Sequence, residues 1–257
     1  MAKLNQFNKY SDYYDIIYQK KSYLEEVKFI KKTIKAYSPI KVNTMLSLGC
    51  GTASYEIILA ADKYSITGVD LSAKMLKIGE KKITENKIKN IRLIKADIKN
   101  YRLNNKFDFA MAMFNVIGYQ TNNDFMEKTL QNTARHLKKN SLFVFDCWYL
   151  PAVLKDRPTN RFKKLKLGEK TIVRKTSQNL DLEKNLININ FHIKEYKKNK
   201  LTNHLTENHP MRFWTLTELD YFLAKNNFKL IKSCVFMNLN KNVSPDNWNI
   251  FIIAQKI

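Results

Sequence analysis

A glycine loop, Gly49-Cys50-Gly51-Thr52-Ala53-Ser54, follows the apolar run Met45-Leu46-Ser47-Leu48. Twenty-one residues after Gly49, the segment Ile66-Thr67-Gly68-Val69 ends on Asp70. Glycines at a strand end permit a tight turn and let a ligand lie against the main chain. An acid closing the next strand can accept hydrogen bonds from a ribose diol. The pair describes one parallel βαβ unit with a nucleoside site at its strand ends. A dinucleotide site would place a third glycine where Ser54 stands, to seat a pyrophosphate on a helix N-terminus, so that fingerprint is absent.

Other residues carry chemistry farther along. Asn115, Tyr119 and Gln120 follow the fourth strand at its carboxyl end, where the ligand of a parallel sheet lies; turn structure is the alternative reading. Trp148 and Tyr149 can stack on a sugar or base, or plug a packing gap. The guanidinium forks of Arg174 and Arg212 suit a substrate phosphate. His192 sits on the polar side of an alternating run, His136 ends a helix where surface charge suits the dipole, and His204 has no supporting context. No spacing of His, Cys or acids suggests a metal site.

These residues need elements to hold them. Residues 9–36 repeat apolar and aromatic positions at helical spacing (Tyr10, Tyr14, Ile17, Val27, Ile30, Ile34). Strands near 44–49, 65–70, 90–94, 107–113 and 141–146 are separated by helices near 53–62, 73–85 and 123–138. Beyond residue 155 the pattern changes. Ile187, Ile189, Phe191 and Ile193 alternate with polar residues, and a second strand is expected near 201–209. Thr215 and Glu218 form a capping box opening a helix to about 226, and strands 228–237 and 248–255 follow. The expected fold is α/β: a doubly wound, Rossmann-like, seven-stranded mostly parallel sheet with a small inserted antiparallel β lobe. The expected divisions are a helical cap over 1–40, a cofactor-binding core over 41–154, the lobe over 155–212 and the end of the core over 213–257.

At 257 residues and 44% hydrophobic content the chain can bury a full core. No apolar run of membrane-spanning length appears, and the polar N-terminus leads to the expectation of no secretory leader. Cys50, Cys147 and Cys234 are odd in number and widely spaced, which fits a reducing cytoplasm rather than a disulfide framework. The net charge of +22 invites a nucleic-acid reading, but only seven of the 45 basic residues are arginine and the lysines are scattered. Attraction of a small anionic substrate is the reading preferred here.

The glycine loop resembles the first motif of class I S-adenosylmethionine-dependent methyltransferases. Gly68-Val69-Asp70-Leu71-Ser72, running on to Met75, resembles the ribose-binding strand end, with the methionine that packs on adenine. Lys95-Ala96-Asp97-Ile98 resembles the turn whose Asp reaches the adenine amino group, and Phe107 through Met113, Phe114 and Asn115 resembles the strand and loop facing the reactive methyl. The resemblance implies S-adenosylmethionine as cofactor, bound by Gly49, Cys50, Gly51, Asp70, Leu71, Met75, Asp97, Ile98, Met113 and Asn115. Two positions depart from the pattern: Ser47 replaces an acid and Ala53 a glycine. They imply that backbone and water, rather than a carboxylate, hold the amino-acid end of the cofactor.

Tyr13-Tyr14-Asp15-Ile16-Ile17-Tyr18, followed by Tyr23, resembles the lid of sugar-type methyltransferases. The segments around Tyr119, Trp148 and His209 are similar to the same group, whose members include N,N-dimethyltransferases of nucleotide-linked amino sugars and related surface-polysaccharide enzymes. This implies Tyr18 and Tyr23 against the cofactor, and Tyr14 at the substrate in a catalytic role. His209 becomes the candidate general base, the other reading being a histidine that orders the lobe–sheet junction. Tyr14, Asn115, Tyr119, Gln120, Trp148, Arg174 and Arg212 form the expected substrate set. The implied activity is O- or N-methylation of a small nucleotide-linked sugar or phosphoramidate-type precursor of a surface polysaccharide. An RNA methyltransferase and a cofactor-binding protein without transfer activity are the alternatives. The oligomeric state stays open, a homodimer among the options.

Overall fold

The computed structural model describes Phe7 and residues 9–257; the opening residues of the expected 1–40 cap lie outside the described residues. Two helices come first, α1 (Ser11–Ile17) and α2 (Tyr23–Tyr37). The core then alternates β1 (Thr44–Leu48), α3 (Ser54–Ala60), β2 (Ser65–Asp70), α4 (Ala73–Glu85), β3 (Ile91–Lys95) and β4 (Phe107–Ala112). A short 3-10 turn, Val116–Tyr119, leads to α5 (Asn123–Arg135), β5 (Leu137–Trp148) and α6 (Leu150–Lys155). Four long strands follow: β6 (Arg161–Leu167), β7 (Lys170–Asp181), β8 (Leu186–Lys197) and β9 (Lys200–Arg212). The chain ends with α7 (Leu216–Lys225), β10 (Phe228–Val235) and β11 (Asn249–Lys256).

The expected seven-stranded sheet is present in the order β10-β11-β5-β4-β1-β2-β3, and β11 alone runs antiparallel to its neighbours. Alternate residues of each central strand feed opposite cores. Met45, Phe109, Met111 and Val144 face the side covered by α2 and α3, while Leu46, Ala110, Phe143 and Phe145 face the side covered by α5 and α7. Burial on both faces is why these strands read as near-continuous apolar runs. Thr215 caps α7 and Glu218 completes the capping box.

The second sheet, β6-β7-β8-β9, is antiparallel throughout. Sequence patterning showed only its latter two strands, because the apolar alternation of β6 and β7 is short, limited to Leu165, Leu167 and Ile172. Lys163, Arg174 and Thr176 stand where a period-two reading would want apolar side chains. The N-terminal helical stretch divides into α1 and α2, with Tyr18 to Ser22 between them. Tyr10, Tyr13 and Ile17 bury their side chains against Ile172, Ile193 and Leu205 of the second sheet, so α1 packs on the lobe. His136, expected on the surface, is only 3% exposed: Nδ1 lies 2.7 Å from the Asn132 carbonyl, and Nε2 accepts from the Leu103 amide at 3.1 Å.

Register fixes the height of the glycine loop. Ser47 pairs with Gly68 and Leu48 with Val69, so β1 and β2 end side by side. A Cβ added at Gly68 would stand 2.7 Å from Cys50 Sγ and 2.9 Å from Leu93 Cδ2. Gly68→Ala is therefore expected to cost about 1–3 kcal/mol by overpacking beneath the loop. Urea unfolding would show this as a lower midpoint, and an unchanged midpoint would contradict the packing argument.

Candidate active site

The loop after β1 runs through three left-handed residues, Gly49 (φ +65°), Gly51 (φ +55°) and Ala53 (φ +59°). For an alanine this region is strained, at about 1–2 kcal/mol, so the surroundings must hold it. Val69 does so in part: its carbonyl accepts from the Gly49 amide at 2.7 Å and the Cys50 amide at 3.2 Å. Asp70 does the rest. Its Oδ2 accepts from the Gly51 amide at 2.9 Å and its Oδ1 from the Ser72 amide at 2.8 Å. Burial nevertheless pushes this carboxyl above its ordinary range against the pull of those amides.

A cavity of about 620 Å3 opens from these strand ends to the inner face of the second sheet. Its floor carries Gly49, Gly51, Asp70, Leu71, Met75, Asp97, Ile98, Met113 and Asn115. Tyr14, Tyr18, Tyr119, Gln120, Trp148 and Arg174 also line it. Cys50 and Tyr23 line a small side pocket that shares Gly49, Gly51 and Tyr14 with the main cavity.

The helix α1 is tied down on three sides. Thr52 Oγ1 donates to Asp15 Oδ1 at 2.6 Å, and Lys82 Nζ reaches Asp15 Oδ2 at 3.0 Å. Ser72 Oγ donates to the Phe7 carbonyl at 2.9 Å. The Glu207 carboxylate accepts the amides of Phe7, Lys9 and Tyr10. The lid is thus fastened to the glycine loop, to α4 and to the lobe, with Tyr14 and Tyr18 aimed between them.

Two expected residues lie elsewhere. His209 is fully buried at 0% exposure among Phe7, Tyr10, Tyr119 and Phe191, with Nδ1 2.9 Å from the Tyr119 hydroxyl. Its Nε2 sits 3.3 Å from Glu207 Oε2 without a well-aligned hydrogen bond. It does not line the cavity, although Met211 on the same face of β9 does: the rings of Phe7, Tyr10, Tyr119 and Phe191, all cavity-lining, enclose it. Arg212 donates to Asn123 Oδ1 at 2.7 Å, pairs with Glu218 at 3.0 Å and stacks on Trp214, so it braces α5 and α7 rather than lining the cavity. Tyr14 does line the cavity. Burial, with Tyr23 and Tyr18 nearby, holds its phenol well above the usual range, and burial does the same for Tyr119.

The sequence reading missed Asp146. It sits near the end of β5 and lines the cavity; Oδ2 accepts from the Asn115 amide at 3.0 Å, while Oδ1 has no hydrogen-bond partner among the described residues. Burial lifts its carboxyl to about 6. Asn115 is left-handed at φ +57°, and both of its side-chain polar atoms are buried and unpaired among the described residues. Buried, unsatisfied polar groups at a strand end call for a partner such as a ligand. The signal for Asp146 was an acid directly after the apolar run Leu142-Phe143-Val144-Phe145. On the roof, Arg174 donates to the Tyr10 and Tyr18 hydroxyls at 2.9 and 3.2 Å, and its Nε and Thr176 Oγ1 are buried without partners among the described residues. Arg161, paired in register with Thr176, and Gln178 extend this polar row into the cavity.

Residues 45–140 match the family model described as a methyltransferase domain. The chain is 24% identical over 149 residues to a dTDP-3-amino-3,4,6-trideoxy-alpha-D-glucopyranose N,N-dimethyltransferase of Streptomyces venezuelae, covering 57% of this chain and 60% of that one. It is 32% identical over 136 residues to a demethylmenaquinone methyltransferase of Listeria monocytogenes, covering 51% and 56%. The chain thus spans little more than half the length of these curated relatives. Among solved structures, an S-adenosylmethionine-dependent methyltransferase of Clostridium acetobutylicum superposes with a TM-score of 0.80 at 21% identity, covering 97% of this chain and 98% of that one. A sugar N-methyltransferase of Streptoalloteichus superposes with a TM-score of 0.77 at 17% identity, covering 93% and 92%. The fold is that of the S-adenosylmethionine-dependent methyltransferases, and the match to a methyltransferase domain covers its residues 45–140.

S-adenosylmethionine is the cofactor this domain implies, and the residues fit it. A Cβ at Gly51 would meet Met75 Cε at 3.1 Å, so the loop keeps clear a cradle that a side chain would fill. Asp70, at the rim of that cradle, stands where a ribose diol would be read.

Raised carboxyls make a stability prediction. A buried acid whose folded pKa is raised stabilises the fold while neutral, and that contribution is lost as pH rises through the folded value. Without ligand, the wild-type thermal midpoint should fall relative to Asp146→Asn as pH rises through about 6. Parallel curves from pH about 5 to about 8 would contradict the assignment.

Proposed function

We propose that the chain is an S-adenosylmethionine-dependent methyltransferase acting on a small, anionic, nucleotide-linked sugar or phosphoramidate-type precursor, in surface-polysaccharide biosynthesis. The observation that carries this reading is the single cavity running from Asp70 and the glycine loop to Arg174 and Thr176. Donor and acceptor sites then lie in one continuous space. The sugar N,N-dimethyltransferase among the relatives supports a sugar-linked acceptor.

When bound, S-adenosylmethionine supplies a methyl carbon on a cationic sulfur, which the acceptor's lone pair displaces while the sulfur keeps the bonding electrons. The chain's own residues do the rest. Asp70 orients the nucleoside, and Tyr14 and Tyr18 close the lid over the reacting groups and exclude water. Arg174, with Arg161 and Thr176, seats the acceptor's anionic end; a guanidinium suits a phosphate oxygen pair. Asp146 accepts the proton that an amine or hydroxyl must give up, since a carboxyl near 6 is poised for that near neutral pH. Holding the acceptor in line supplies much of the remaining acceleration. His209 steers the Tyr119 hydroxyl from behind and takes no proton from the acceptor.

Three measurements test this. Incubation with S-adenosylmethionine and a panel of nucleotide-linked amino and hydroxyl sugars should release S-adenosylhomocysteine and add one methyl to a panel member by mass. Methyl transfer to RNA, with strongly salt-dependent RNA binding, would overturn the small-substrate reading. Asp70→Ala should weaken cofactor binding at least about tenfold, since hydrogen bonds to a charged group are worth about 1.5–3 kcal/mol. Asp146→Asn should lower kcat by about 10²–10⁴ and remove an acid limb from the rate profile, whereas His209→Ala should cost less than about tenfold. The reverse ranking would return the base role to His209.

A further inference from the structure

We propose that Glu56, which lines the side pocket beside the glycine loop, is the carboxylate that receives the ammonium of the cofactor's amino-acid end. The proposal rests on the reading that S-adenosylmethionine binds this cleft, and it replaces the expectation that only backbone and water hold that end.

Glu56 lies in the first turn of α3 and is fully buried at 0% exposure. One oxygen, Oε1, accepts from Ser47 Oγ at 2.5 Å. The other, Oε2, has no hydrogen-bond partner among the described residues. A buried carboxyl with one idle oxygen is an expensive arrangement unless something arrives to meet it. The side pocket is about 30 Å3, the room one water-sized group takes. It is walled by Glu56, Ser47, Gly49, Cys50, Tyr23 and Met113, and it shares Gly49 and Met113 with the main cavity.

No nearby cation among the described residues meets that oxygen. Lys82 is the nearby cation whose field acts on Glu56, but its ammonium is held by Asp15 Oδ2 at 3.0 Å and Ser54 Oγ at 3.2 Å. The other groups facing Glu56 are the Ser47 hydroxyl, the Cys50 thiol and the Asp70 carboxyl, none of them cationic. Burial raises the Glu56 carboxyl to about 7, against the pull of Ser47. A primary ammonium entering the side pocket would find there a hydrogen-bond acceptor able to ionise on contact. Ser47 is then not a lost acid. It holds in place an acid that the chain supplies one element later, from α3 rather than β1.

The test compares two ligands with one nucleoside: S-adenosylhomocysteine, which carries the amino acid, and 5′-methylthioadenosine, which lacks it. By calorimetry, Glu56→Gln should weaken S-adenosylhomocysteine at least about tenfold while changing 5′-methylthioadenosine less than about twofold. Unchanged affinity for both would overturn the proposal and leave the cofactor reading standing. A wild type that binds neither ligand would sink both. Should Glu56→Gln lose both ligands through misfolding, the wild type decides. Titration near pH 7 in buffers of different ionisation enthalpy should show proton release with S-adenosylhomocysteine beyond that with 5′-methylthioadenosine. Equal proton counts for the two would overturn the proposal.

Discussion

The Asp70 carboxylate holding the Gly51 amide is the contact on which the rest of the site is built. The loop between β1 and α3 is unfavourable by itself, with three left-handed residues in five, one of them an alanine. Parallel pairing of β1 with β2 brings Asp70 level with that loop, and Val69 and Asp70 together fasten it. Little slack remains, since a Cβ at Gly49 would stand 2.6 Å from Val116. Once the loop is set, Thr52 fixes Asp15 of the lid, and Ser72, anchored by the same Asp70, fixes the chain at Phe7. One carboxylate thereby positions the floor of the cleft and two fastenings of its cover.

Charge is arranged across the cavity with a sense that the net figure of +22 hides. Asp70 and Asp146 lie toward the sheet, where Glu26 and Asp97 are paired with Lys21 and Lys99, and Arg174 and Arg161 lie toward the lobe. In the proposed reading the cationic donor meets the acidic floor, and the acceptor's anionic end meets the basic roof. Opposed polarity of this kind orients two small molecules toward each other before any contact between them is made. The burial that lifts Glu56 and Asp146 toward neutrality limits like-charge repulsion in the floor while it is empty.

The parallel core was legible in the sequence because burial on both faces leaves continuous apolar strands, and because glycine and a strand-end acid have few other reasons to stand at that spacing. The β6 and β7 strands were not legible, since among Leu165, Leu167 and Ile172 they also turn inward Arg174, Thr176 and Gln178, which line the cavity, and Lys163, which holds the Ile17 carbonyl. Residue type also could not tell depth. His209 and Arg212 read as reactive, yet one stands behind Tyr119 and the other is paired with Glu218. The alternation Leu205, Glu207, His209, Met211 was the available sign that His209 points inward. Asp146 and Glu56 were overlooked for the opposite reason: each is a lone acid inside an apolar stretch, where only the unpaired oxygen seen in the fold distinguishes a site from a structural anchor.

The most direct measurement is a crystal structure of the protein with S-adenosylhomocysteine bound. The account predicts the ribose hydroxyls within hydrogen-bond distance of Asp70 and the sulfur beside Phe114 and Asn115, with open space from there toward Arg174 and Thr176. A nucleoside bound away from Asp70, or a sulfur facing away from the lobe, would contradict it.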